Sequence, residues 1–113
     1  MKTKTPSEHI EQINFVLWFR HNYPDVLIFA IPNGDLRNKQ VAIKLKREGL
    51  LPGVSDLFIP EWMVWIEFKR VKGGTVSKVQ KDFMAEMTRV GYQCFVAKGF
   101  EAAKQIINSL HNH

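Results

Sequence analysis

Two hydrophobic periods alternate along this chain, and the switches between them divide it into elements. Ser7 stands where a helix cap belongs, and Pro24 blocks a helix from running past about Asn22. This first helix contains Phe15, Val16, Leu17, Trp18 and Phe19 in succession. A continuous apolar run covers every side of a helix, so the segment is expected either to be buried on several sides or to face a partner chain with part of its surface. Residues 26–31 are β-branched and apolar with Phe29 among them, and read as a buried strand. Pro32, Asn33, Gly34 and Asp35 form a turn signal. A second helix is predicted from Asn38 to about Glu48, with Val41, Ile43 and Leu45 as its apolar positions and Gly49 as its stop. After a loop over 51–55, short strands are predicted at 56–59 and 63–69, joined into a hairpin by Pro60, Glu61 and Trp62. Ser77 and Gln80 then spell a capping box, and Val79, Phe83, Met87 and Val90 keep helical spacing until Gly91. A strand over 92–97 and a helix over 101–110 complete the order αβαββαβα. That order predicts one α/β domain over residues 1–113, its core at about 7–110, with helices flanking a mixed four-stranded sheet.

The strand at 63–69 carries the first chemical signal. Alternation places Val64, Ile66 and Phe68 on one face, and Glu67 and Lys69 on the other with Met63 and Trp65. A carboxylate there offers hard oxygen ligands to a divalent ion, and an ammonium beside it can hold a phosphate oxygen or orient a water. Glu-x-Lys alone is common and equally describes a weak ion pair at a strand end. Asp56 changes its weight. It opens the neighbouring strand after Pro52, Gly53 and Val54, so hairpin pairing would bring it beside Glu67. Two adjacent carboxylates repel each other, and a cation between them removes that cost. Asp56 also has a plainer reading as a strand-start residue.

Charge adds a partner. The chain has 16 Lys and Arg against 11 Asp and Glu, a net charge of +5. Ten of the 16 basic residues lie in two windows without an acid, 37–47 and 69–81. Clustering of this kind suits a phosphate backbone better than net charge does, although two solvated faces would look the same. The windows include Arg37, Lys39, Lys44, Lys46, Arg70, Lys72 and Lys78. The single Cys94 excludes an internal disulfide and a Cys-rich zinc site. No segment reaches the ~18 apolar residues of a membrane span, and the start of the chain lacks a signal-peptide run, so a cytoplasmic protein without membrane contact is expected. No Ser-His-Asp arrangement or glycine-rich phosphate loop opens another enzyme class, since Gly73 and Gly74 are too short for one.

Taken together, residues 44–60, running Lys44 to Pro60 through Gly49, Pro52, Gly53 and Asp56, followed by Trp65-Ile66-Glu67-Phe68-Lys69, resemble the VRR-NUC (virus-type replication-repair nuclease) family of the PD-(D/E)XK superfamily. Gly74 to Gln80 is similar to the loop and S-x-x-Q of that family, and Ile31 to Gly34 to its Asn-Gly segment. Glu8 and Gln12 look like its N-terminal acid and glutamine. Ser55 departs from the proline that many members carry before the aspartate.

The resemblance implies a role for each matching residue. Asp56 and Glu67, helped by the Phe68 backbone carbonyl, would bind Mg²⁺ or Mn²⁺. Lys69 would position or activate the attacking water. Glu8 would reach the site from the first helix, directly or through water, with Glu11 as the alternative acid. Gln80 would sit at the edge of the site, a role compatible with its cap to Ser77. The expected activity is metal-dependent endonucleolytic hydrolysis of DNA, structure-selective for branched DNA such as Holliday junctions, as in phage-type members. A nucleic-acid-binding module with little or no catalysis on the same fold is the alternative. A homodimer is expected, because opposed nicks need two sites and because residues 15–19, Trp62 and Leu110 offer apolar surface.

Overall fold

The computed structural model describes residues 7–32 and 38–111. Helix α1 (Glu8–Asn22) begins where expected, with the Ser7 hydroxyl accepting the Ile10 N–H at 3.2 Å. Strand β1 (Phe29–Ala30), helix α2 (Lys39–Arg47), strands β2 (Leu57–Ile59) and β3 (Val64–Lys69), helix α3 (Lys78–Arg89), strand β4 (Gln93–Lys98) and helix α4 (Phe100–His111) follow. The element order matches the sequence reading. The four strands lie side by side in the order β1-β2-β3-β4. The β1/β2 and β2/β3 pairs are antiparallel, and β3 and β4 run parallel, so the sheet is mixed.

The β2–β3 hairpin turns through a 3₁₀ segment at Pro60–Trp62. Met63, expected to open the strand, instead closes this turn in the left-handed region at φ 55°, and its N–H donates to the Pro60 carbonyl at 3.0 Å. Pairing of Leu57 with Ile66 and of Ile59 with Val64 fixes the register. A one-residue slip would send every side chain to the opposite face.

Val64, Ile66 and Phe68 do share a face, and all three are fully buried. Helices α1 and α4 cover them. Phe15 packs on Phe68 with ring centroids 5.5 Å apart, and Phe19, Ala103 and Ile107 complete the same core. The other face is thinner. Trp65 stacks on Phe58 at 4.1 Å and meets the edge of Phe83 from α3 at 5.1 Å. Helix α3 opens with both halves of the Ser77–Gln80 capping box in place.

Two expectations about burial are corrected. The segment 26–31 is not a buried strand. It contributes two paired residues at the sheet edge, where Ile28 is buried while Leu27 and Phe29 remain exposed. A central strand has neighbours on both sides, and nothing in β-branched composition distinguishes it from an edge. Of the two alternatives left open for the apolar run in α1, burial on several sides describes most of it. Phe15 and Phe19 are fully buried in the core, and Val16 and Trp18 pack against it. Only Leu17, at 64% exposure, points away. Trp62 and Leu110, proposed as apolar surface, are half-buried against the same core. The turn signal from Asn33 to Asp35 lies outside the described residues.

Candidate active site

Three carboxylates meet where the hairpin strands end beneath the start of α1. Side-chain oxygens of Glu8, Asp56 and Glu67 all lie within 4.8 Å of one another. Each is placed by a different local cause. Glu67 is carried inward by the strand alternation that buries its neighbours, and is itself 2% exposed. Asp56 sits one residue before β2, and its Oδ2 accepts the Phe68 N–H at 2.7 Å, which locks the carboxylate onto β3. Its own carbonyl accepts the Ile31 N–H at 2.9 Å, tying in the β1 side. Glu8 is the first residue of α1, one position after the Ser7 cap.

The preceding loop is pressed against α3. Gly53 has φ +96°, and a Cβ there would collide with the Val79 carbonyl group, whose carbon would be 2.6 Å away. Only glycine permits this approach. The approach seats residues 52–55 on the first turn of α3 and so helps aim Asp56.

The electrostatics of the acid cluster are unfavourable as it stands. Burial pushes the Glu67 carboxyl up to about 9, with the facing Asp56 carboxyl adding to the shift and Lys69 opposing it. Glu8 is raised as well, by burial and then by Asp56, while Lys69 and Arg70 pull it back. Glu67 Oε1 is buried with no hydrogen-bond partner among the described residues. An orphaned buried carboxylate oxygen costs free energy unless something satisfies it. A divalent cation does so, and three carboxylates are the hard-oxygen donors that suit Mg²⁺ or Mn²⁺. The residues therefore fit such an ion.

Lys69 lies two positions beyond Glu67 on the same strand face and is only 9% exposed. It acts electrostatically on both Glu67 and Glu8, so its ammonium belongs to the cluster. The Gln80 Oε1 accepts the Ser77 N–H at 2.9 Å, which is the capping role. Glu11, the alternative helix acid, points elsewhere. Its Oε2 accepts the Phe100 N–H at 2.7 Å, and the acid that joins Asp56 and Glu67 is Glu8. Ser55 Oγ and Trp65 Nε1 are also buried without partners among the described residues. They flank Asp56 and Glu67 in sequence, and only the tertiary fold reveals their isolation.

The basic residues are distributed over two surfaces. Lys39, Lys44 and Lys46 are exposed on α2, and Arg70 and Lys72 are exposed in the turn after β3. Lys78 is exposed and paired with Asp82 at 2.8 Å one helical turn on. Arg37 lies outside the described residues.

A solved structure described as a VRR_NUC domain protein superposes on this chain with a TM-score of 0.75. It covers 96% of this chain and 89% of that one, at 24% sequence identity. The chain has the VRR-NUC fold. No protein-family model matches the sequence, and no curated protein matches it. Among the described residues no helix is long and apolar enough to cross a membrane.

Proposed function

We propose that the protein is a divalent-metal-dependent DNA endonuclease. The observation that carries this reading is the convergence of Glu8, Asp56 and Glu67 beside the buried Lys69, with one Glu67 oxygen left without a partner. On this reading Asp56, Glu67 and the Phe68 carbonyl hold Mg²⁺ or Mn²⁺, and Glu8 completes the set directly or through water. When bound, such an ion supplies Lewis-acid polarisation of the phosphate and a water of lowered pKa. Lys69, held in place by its buried strand, contacts the scissile phosphate and orients the attacking water. Attack is in line: the new bond forms between the water oxygen and phosphorus, the bond to the 3′ oxygen breaks, and the 3′ oxygen takes a proton. Gln80 lines the edge of the site from the first turn of α3.

DNA is the substrate proposed, bound by Lys39, Lys44, Lys46, Arg70, Lys72 and Lys78, with Arg37 as a further contact. Branched DNA is the preferred form in this proposal, cut by a homodimer whose two sites make opposed nicks. The surface that supports a dimer overlaps the one the sequence suggested only at Leu17. Ile10, Ile13 and Leu17 fall on one side of α1 by helical spacing, and all three are exposed. Ile13, Leu17 and Phe29 line one groove of about 330 Å³.

Incubation with four-way, flap, nicked and linear DNA, with and without Mg²⁺ or Mn²⁺, tests the whole reading. Metal-dependent cleavage is expected, fastest on branched forms. Salt-sensitive binding without cleavage would favour a binding module instead. Sedimentation equilibrium tests the assembly: wild type is expected as a dimer, and Leu17→Glu as a 13 kDa monomer.

A further inference from the structure

Packing anchors the first two turns of α1 weakly. Glu8, Glu11 and Gln12 are half-buried, His9, Ile10, Ile13 and Asn14 are exposed, and full burial starts only at Phe15. Glu8 stands at the very start of this stretch and yet converges with Asp56 and Glu67. Helix ends fray, and a frayed first turn would carry Glu8 out of reach. The Ser7 cap holds the turn only to itself, through the N–H of Ile10.

Glu11 supplies the tie to the rest of the molecule. It lies one turn after Glu8, and its Oε2 accepts the N–H of Phe100, 89 residues along the chain. That N–H belongs to the first residue of α4, where backbone donors lack intrahelical partners and the helix dipole favours a negative charge. Gly99 before it has φ +95°, and a Cβ there would stand 2.7 Å from Val71 Cγ2 and 3.6 Å from Glu11 Cδ. The Glu11 carboxylate is therefore seated between the start of α4 and the chain just past Lys69 and Arg70. It joins α1, α4 and the exit of the strand that carries Glu67 and Lys69.

We infer that Glu11 is a positioning residue that holds Glu8 in the acid cluster, acting through its bond to the start of α4. The inference rests on the metal-binding reading of that cluster. A role confined to stability would lower the melting temperature alone. A positioning role also changes the cluster, and only while Glu8 is present.

The experiment compares wild type, Glu11→Ala, Glu11→Gln, Glu8→Ala and the Glu8→Ala/Glu11→Ala pair. Mn²⁺ affinity is read by calorimetry and amide exchange by mass spectrometry on metal-free protein. Glu11→Ala is expected to weaken Mn²⁺ binding about tenfold, the scale seen when a group supporting a ligand is lost. It should also speed exchange at residues 12–15 without metal. Glu11→Gln keeps an acceptor oxygen for Phe100 and should restore most of both. In the Glu8→Ala background the Glu11→Ala change should leave Mn²⁺ affinity unaltered. Should Glu11→Ala not fold, Glu11→Asp, one methylene too short for the bond, takes its place with the same expectations. Wild-type Mn²⁺ affinity in the folded variant, or an undiminished loss in the Glu8→Ala background, overturns the inference. Absence of Mn²⁺ binding by the wild type overturns the metal reading itself, and the inference with it.

Discussion

The acid cluster and helix α2 are built on opposite principles. Asp56, Glu67 and Lys69 stand on or beside strands whose other face is the hydrophobic core, so their positions are fixed by buried Val64, Ile66 and Phe68. Helix α2 buries none of its side chains, and Val41 and Ile43 are 42% and 50% exposed. Its hold comes from local devices: the Asn38 side chain accepts the N–H groups of Gln40 and Val41, and the helix stops at Gly49. Groups that perform chemistry need tight placement, and rigid elements supply it. Cations that neutralise a phosphate backbone work over a broad range of positions, since the attraction is Coulombic and falls off slowly. This fold places buried charge tightly and exposed charge loosely. Substitutions in the two regions should then differ in kind as well as in size.

The largest effect is expected in the acid cluster. Asp56→Asn, Glu67→Gln and Lys69→Ala should each reduce metal-dependent cleavage to background while DNA binding persists. Asparagine is preferred at position 56 because Asp56 satisfies the Phe68 N–H, and alanine would orphan that donor at about 1–3 kcal/mol. Full cleavage by a folded Glu67→Gln protein would refute the assignment.

A pH series probes the acid cluster without any substitution. The folded chain raises the Glu67 carboxyl from the usual 4.5 to about 9, so between those values it retains a proton that the unfolded chain releases. The Glu67 contribution to metal-free stability is then fully present below about 4.5, falls as the pH rises, and is gone once the pH passes about 9. Metal binding needs the carboxylate form, so the stabilisation by Mn²⁺ should grow over the same interval. Thermal melts in chelator and in Mn²⁺ at pH 5.5, 7 and 8.5 read both slopes. Glu67→Gln should flatten the metal-free slope and raise metal-free stability at pH 7 above that of wild type, because the amide stands in for the protonated carboxyl without the cost of holding a proton. A metal-free melting temperature that climbs with pH through this window would contradict the burial argument.

Legibility in the sequence followed the same division. Alternation along 63–69 was sufficient to separate Glu67 and Lys69 from the core face, because side-chain direction in a strand depends only on position. Ser77 and Gln80 were legible for the same local reason. The choice between Glu8 and Glu11 was not. Both lie within one turn of α1, and the answer depends on an N–H 89 residues away. The edge position of β1 was hidden because Leu27 and Phe29 resemble core residues in composition. The apolar run in α1 left burial and an interface both open, and its partners come from distant parts of the chain: Phe68 for Phe15, Trp62 for Phe19 and Phe100 for Trp18. Which helix covers which is a property of the whole chain.

On the basic side, the effects should be graded. Lys44→Gln with Lys46→Gln should weaken DNA binding and reduce the slope of log affinity against log salt by about 2, one for each phosphate that is no longer neutralised. Cleavage at saturating DNA should hold, since neither residue touches the acid cluster. Binding titrations between low and moderate salt measure the slope. An unchanged slope would remove α2 from the binding surface.

The smallest expected effect is that of a substitution at Ile43, set beside one at Phe15. Ile43 is half exposed on α2 and Phe15 is wholly buried beneath α1, though both are apolar residues on helices. Phe15→Ala should cost about 3–5 kcal/mol, because it removes buried area and leaves a cavity against Phe19 and Phe68. Ile43→Ser takes away a side chain that already meets water, so its cost should stay within about 0.5 kcal/mol, the range of an ordinary surface change. Urea unfolding of the two variants at one protein concentration gives both values. If Ile43→Ser costs several kcal/mol and the destabilisation deepens on dilution, α2 is buried in an assembly of two chains. The interface between copies would then lie on α2, and the exposed side of α1 would lose its claim to it.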